Sequence, residues 1–179
     1  MTPHTRYDAA GSPFFPGFRR LDRQVGGVRF AGVTGGNGPA LLVLHGYPQT
    51  HIAWRRIAPE LAKRFTVVAP DLPGYGASRV ADHAPRWTKR RVADALAQLM
   101  GALGHDGFAL AGHDRGARVA YRLALDHPSR VSALVSLAIV PTPDALAAID
   151  ARTGHEAFHW FFLPQDARLQ ERPLPAAPD

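Results

Sequence analysis

The chain has 179 residues, a length for one domain or slightly more, with 46% hydrophobic and 20% charged residues, ordinary globular proportions. No apolar run approaches the roughly 18 residues a membrane-spanning helix needs, and with no cysteine there can be no disulfide, thiolate metal site or cysteine nucleophile. The net charge of +6 comes from 19 Arg and 2 Lys spread along the chain, and the single cluster, Arg86, Lys89, Arg90 and Arg91, reads as the solvated end of a helix rather than a phosphate track. No nucleic-acid and no membrane partner is therefore expected. Residues 1–18 lack the basic, apolar and small-residue order of a secretory signal, so the expected location is the cytoplasm.

Residues 1–17 are rich in Pro, Gly and Ala and predict a loosely ordered arm. Residues 18–25 and 28–33 flank Gly26-Gly27, the pattern of a hairpin. After a loop over 35–39, Ala-Leu-Leu-Val-Leu at 40–44 is the continuous apolar run of a strand buried on both faces. A helical stretch then places Ile52, Ile57, Leu61 and Phe65 near one face, followed by a second buried strand over 65–69 and a turn-rich loop over 71–76. Next come an amphipathic helix over 88–103, a third buried strand over 108–111, a helix over 115–125 stopped by His127-Pro128, and a fourth apolar strand over 131–140. Alternating strands and helices predict an α/β fold, a mostly parallel sheet with helices on both faces. Beyond Pro141 the pattern changes to a short helix over 145–149, an aromatic patch at 158–162 and a polar, proline-rich stretch over 164–179. The expected organisation is an arm (1–17), a core (18–140) and the start of a helical lid (141–179), with the chain ending before it returns to the sheet.

The strand at 108–111 runs into Gly112-His113-Asp114-Arg115-Gly116, and a helix begins at once. This is G-x-D-x-G at the position of a nucleophile elbow, where small residues two before and two after let the backbone bend sharply. A carboxylate at its centre can attack a saturated carbon and form an ester, and a helix N-terminus favours its ionised form. Asp114 could instead be a plain helix N-cap followed by glycine. His45-Gly46-Tyr47-Pro48 follows the 40–44 strand, where the Tyr47 N–H could be half of an oxyanion hole, the Arg115 N–H being the other half. Arg115 and Arg118 share the first turn of the helix, and two cationic forks beside an anionic nucleophile suit a substrate that is itself a carboxylate. The alternatives are a solvated helix face, or ion pairs with Asp114 and Asp71.

Residues 41–54 (LLVLHGYPQTHIAW), 71–78 (DLPGYGAS) and 112–128 (GHDRGARVAYRLALDHP) resemble the haloacetate dehalogenases of the α/β-hydrolase fold, most of all the fluoroacetate-cleaving branch. The resemblance runs from about Phe18 to Gln165. Asp114-Arg115-Gly116-Ala117-Arg118 carries most of it, because the other two motifs are shared across much of the superfamily. It implies a halide pocket of His159 and Trp160, whose ring N–H groups would receive the departing halide. It also implies a two-step reaction. Asp114 displaces halide from a small 2-haloacid held by Arg115 and Arg118, and a histidine-activated water then hydrolyses the ester. No cofactor is implied, and a homodimer is the assembly expected of a longer parent.

Two departures accompany the resemblance. Where the family carries its triad acid, in Leu-Asp-Ile-x-Pro-Thr, residues 137–142 read Leu-Ala-Ile-Val-Pro-Thr, with Ala138 at the acid position. No histidine after Asp114 stands where the base belongs, so the chain is expected to lack turnover. An epoxide hydrolase-like enzyme using Asp114 on a strained ring, or a carboxylate-binding protein without covalent chemistry, are the competing readings. A serine esterase is disfavoured by Asp114 at the elbow, and a dinucleotide-binding dehydrogenase by the absence of G-x-G-x-x-G.

Overall fold

The computed structural model describes residues 13–82 and 87–156. Gly26 and Gly27 both adopt positive φ, 59° and 75°, as a two-residue hairpin turn requires. They join β1 (Arg19–Val25) to β2 (Val28–Gly35) in antiparallel register from Arg19↔Thr34 to Val25↔Val28. β3 (Ala40–Leu44) is buried along its whole length, as its unbroken apolar run predicts. It lies parallel to β4 (Thr66–Pro70) on one side and to β6 (Phe108–His113) on the other, and β7 (Val131–Leu137) continues the parallel half beyond β6. The strand order is β1-β2-β4-β3-β6-β7, with the two-residue β5 (Arg79–Val80) paired to β2. The sheet is antiparallel at the hairpin end and parallel from β4 to β7.

Alternation along the central strands divides the core in two. Leu42, Leu44 and Val68 pack with Leu96, Leu99 and Met100 of α2 (Lys89–Ala102) and Val119 and Leu123 of α3 (Arg115–Asp126). Their neighbours Leu41, Val43, Val67 and Ala69 pack with Phe15, Phe18, Trp54 and Ala58. Helices therefore cover both faces: α2 and α3 on one, a 3₁₀ turn (His51–Trp54) and the one-turn α1 (Ala58–Leu61) on the other.

The helix expected across 52–65 is broken into these two pieces. Pro59 has no N–H to give a preceding carbonyl, so a continuous ladder cannot pass through it, and α1 instead starts with the proline in its first turn. Phe15, in the stretch read as a loose arm, is fully buried, its ring 5.5 Å from both Phe18 and His51. β7 departs further. It stops at Leu137, Ala138 turns away at φ 56°, and its residues after Val131 are exposed. Among the described residues β7 pairs only with β6, so no strand covers its far side.

Contacts divide the chain into two compact units, Met1–Ile139 and Val140–Asp179. The second contains α4 (Thr142–Ala147) and α5 (Ala151–Glu156). α4 begins earlier than the expected helix because Pro143 suits a helix's first turn. Among the described residues, no helix is long and apolar enough to cross a membrane.

Candidate active site

β6 ends at His113 and α3 begins at Arg115, which leaves Asp114 alone to make the bend. Its backbone sits at φ 50°, ψ −117°, a conformation costing an L-residue on the order of 1–3 kcal/mol. The flanking glycines are dictated by space. A Cβ on Gly112 would stand 2.6 Å from the Ala117 backbone, and one on Gly116 would stand 2.4 Å from the Leu44 carbonyl oxygen. Helix and sheet approach that closely because the bend is tight, and the Asp114 N–H ties it to β7 by donating to the Leu137 carbonyl at 3.1 Å.

The N-cap alternative for Asp114 can be judged against Thr88, which opens α2. The Thr88 hydroxyl accepts from the Arg91 N–H at 3.3 Å, as a cap does. Asp114 makes no such bond. Its Oδ1 accepts instead from the Tyr47 N–H at 2.8 Å, on the loop after β3. The strand ends thus bring together the two groups that the sequence named as nucleophile and oxyanion donor. The Arg115 N–H, at the first position of α3, is among the four that have no acceptor within the helix.

The Tyr47 loop is held from several directions. Gly46 donates its N–H to Gln49 Oε1 at 3.1 Å, and its carbonyl accepts from the Gln49 N–H at 3.0 Å and from His45 Nδ1 at 2.8 Å. Gln49 Oε1 also lies 3.2 Å from His113 Nδ1, linking the loop to the residue before Asp114. A Cβ on Gly46 would reach within 2.7 Å of the Asp114 Cβ, so nothing larger fits. Buried His45 accepts the Leu72 N–H on Nε2 at 2.9 Å, which places its proton on Nδ1 and makes the ring neutral. Burial lowers its pKa, against the opposing pull of the Gly46 carbonyl.

Asp71 serves a second loop. Its carboxylate accepts from the His51 N–H at 2.8 Å, from His51 Nδ1 at 2.7 Å and from the Ala77 N–H at 3.0 Å. Burial pushes this carboxyl up, but the bonds from His51 and Ala77 prevail and hold it below its ordinary value. Gly76, at φ 51°, would drive a Cβ to 2.1 Å from Asp71 Oδ2. Ser78 donates to the Asp71 carbonyl at 2.8 Å and accepts from the Ala31 N–H at 2.9 Å. The residue 71–78 motif is therefore a folding device that clamps the loop after β4.

Arg115 Nη1 donates to the Tyr75 hydroxyl at 3.3 Å, and its guanidinium carbon lies 5.1 Å from the centre of the Tyr47 ring, within cation–π range. Arg118 is half-buried and closes the first turn of α3 by donating its N–H to the Asp114 carbonyl at 3.1 Å. Ala138, the residue after β7, has no titratable group to offer. His159 and Trp160 lie outside the described residues. Gln49, His51 and Tyr75 were not singled out from the sequence. Gln49 carries no local signal, whereas Tyr75 sits inside a motif whose glycines drew the attention. Among the described residues, no three His, Asp or Glu side chains gather as metal ligands.

Residues 39–174 match the model of the alpha/beta hydrolase fold family. The chain is 44% identical to a fluoroacetate dehalogenase from Burkholderia sp over 169 residues, covering 92% of the chain and 55% of that protein. It is 39% identical to a soluble epoxide hydrolase from Corynebacterium sp. (strain C12), covering 65% and 40%. Among solved structures, one from Pseudomonas aeruginosa, provisionally described as an epoxide hydrolase, superposes with a TM-score of 0.86 at 48% identity, covering 92% of this chain and 55% of that one. The chain spans about half the length of these relatives. It belongs to the α/β-hydrolase fold family.

Proposed function

We propose that the site is that of a cytoplasmic hydrolase of small 2-haloacids, haloacetates first among them, with Asp114 as nucleophile. One observation carries this most: Asp114 keeps a strained backbone at the head of α3, yet turns its carboxylate to the Tyr47 N–H rather than capping the helix. With Oδ1 so held, Oδ2 is the oxygen that attacks. The Oδ2–carbon bond forms as the carbon–halogen bond breaks, and halide leaves with the bonding pair. Oδ1 is then the ester carbonyl oxygen, already against the donor it needs when water adds to Cγ, and the Arg115 N–H is the second donor. Arg115 and Arg118 hold the substrate carboxylate, with Tyr75 and Tyr47 orienting the Arg115 guanidinium. His159 and Trp160 are assigned to the departing halide.

Hydrolysis of the ester needs a base. His127 ends α3, about 20 Å along the helix from Asp114, with Nε2 2.8 Å from Asp94 Oδ1. His155 lies in α5, and His159 is assigned to halide. The 179-residue chain is expected to form the ester and hold it.

Identity to a soluble epoxide hydrolase favours a second reading, in which Asp114 opens a strained ring. Incubating folded protein with excess chloroacetate or styrene oxide, followed by intact mass and peptide mapping, separates the two. An ester on Asp114 from chloroacetate, absent in Asp114→Asn, is the expected result. An adduct from the epoxide alone selects the second reading. Carboxylate binding with no adduct from either reagent defeats both in favour of a non-covalent binder.

A further inference from the structure

Asp71, Gly76 and Ser78 account for how the 71–78 loop folds, and none of their bonds calls for a phenol at Tyr75. The phenol is nevertheless held as firmly as the loop. The Tyr75 N–H donates to the Leu72 carbonyl at 2.9 Å, and the Tyr75 carbonyl accepts from the Ser78 N–H at 3.0 Å. Its ring packs on the core cluster beneath α2 and α3 and meets the His45 ring edge-on, with centroids 5.3 Å apart and planes at 69°. His45 is fixed in turn by the Leu72 N–H and the Gly46 carbonyl. The Tyr75 hydroxyl therefore has its place before any ligand arrives.

That place is beside Arg115. The sequence allowed the guanidinium an ion pair with Asp114 or Asp71, but it turns to neither. Asp114 takes the Tyr47 N–H, and Asp71 takes His51 and Ala77. Arg115 is held instead by two neutral groups, the Tyr75 hydroxyl at 3.3 Å from Nη1 and the Tyr47 ring centre at 5.1 Å from its guanidinium carbon. Both orient the cation and neither neutralises it. A guanidinium accepts no hydrogen bond, so the Tyr75 proton cannot lie along that contact and is left for another acceptor. An oxygen that accepts from a cation is also the stronger donor through its own O–H. A charged donor and a polarised neutral one thus stand side by side, an arrangement suited to the two oxygens of one planar carboxylate.

We propose that Tyr75 is a substrate-binding residue: its hydroxyl donates to the carboxylate held by Arg115, and the two together select small carboxylates over neutral electrophiles. The assignment rests on the reading of the site as one for 2-haloacids. An amide in the same place offers one acceptor and one donor, so a donor would meet a donor. A site built from such groups rejects the analogue that leaves one of them unpaired.

Chloroacetate and chloroacetamide carry the same halide on the same carbon and differ in charge and in one acceptor. With no cysteine in the chain, the amide has no thiol to divert it. Ester formation on Asp114 is followed by intact mass against the concentration of each reagent. Tyr75→Phe keeps the ring against His45 and removes the hydroxyl alone, so circular dichroism should match the parent chain. The half-saturating concentration of chloroacetate should rise about tenfold, the effect of one hydrogen bond to a charged group, with the limiting rate and the reaction of chloroacetamide as before. The proposal is overturned if half-saturation does not move or if the limiting rate alone falls. It is equally overturned if both reagents suffer alike, which is the mark of a residue that only holds the loop. A parent chain that forms no ester defeats the covalent reading, and calorimetric titration with acetate then decides the matter for Tyr75. Acetate bound about tenfold more weakly by Tyr75→Phe upholds the assignment. Equal affinity in the two proteins, or no binding by the parent, overturns it.

Discussion

Gly116 permits the whole elbow, because an added methyl would meet the Leu44 carbonyl oxygen at 2.4 Å. Gly116→Ala should therefore push α3 off β3, costing about 1–3 kcal/mol in urea unfolding and abolishing the chloroacetate adduct. His45 makes a pH prediction. Its pKa is lower in the folded protein than its ordinary 6.5, so below that pH the unfolded chain binds more protons than the native one. Stability from this group is complete above pH 6.5 and is lost as pH falls toward the folded value. Urea midpoints measured from pH 7.5 downward should decline, and His45→Asn should flatten the first part of the decline. Asp71 acts in the same direction at lower pH, starting from its ordinary 3.8. Ala138 pays for its φ of 56° without the help that an Asn or Asp side chain gives such a backbone. Ala138→Asn should raise unfolding stability by about 0.5–1 kcal/mol.

At the scale of elements, α2 and α3 are a matched test of what a residue before a helix is for. Thr88→Ala should cost about 1 kcal/mol, the usual effect of losing a cap. Asp114→Asn should leave stability within about 0.5 kcal/mol, since Asn keeps an acceptor for Tyr47 and tolerates the backbone, while the mass adduct disappears. Equal losses in the two variants would restore the N-cap role for Asp114. The elements readable in the sequence were those whose burial is local in origin: the apolar run of β3, the Gly-Gly hairpin and the stripe of α2. Residues 112–116 were equally legible, because glycine spacing records a steric need directly. Exposure on β7 was not, since it depends on whether a neighbouring strand exists. Nor was Gln49, whose bond to His113 joins residues 64 positions apart. The break at Pro59 was in plain sight, but the apolar period around it outweighed the proline.

Across the whole molecule, the candidate site depends on the parallel half of the sheet, where the loop after β3 supplies the Tyr47 donor and the bend after β6 supplies Asp114. The hairpin half supplies Ala31, which braces the Asp71 loop through Ser78. The Asp114 bend and the Tyr47 loop stand at the ends of adjacent parallel strands, so a slip in the β3–β6 register would part donor and carboxylate without touching either residue.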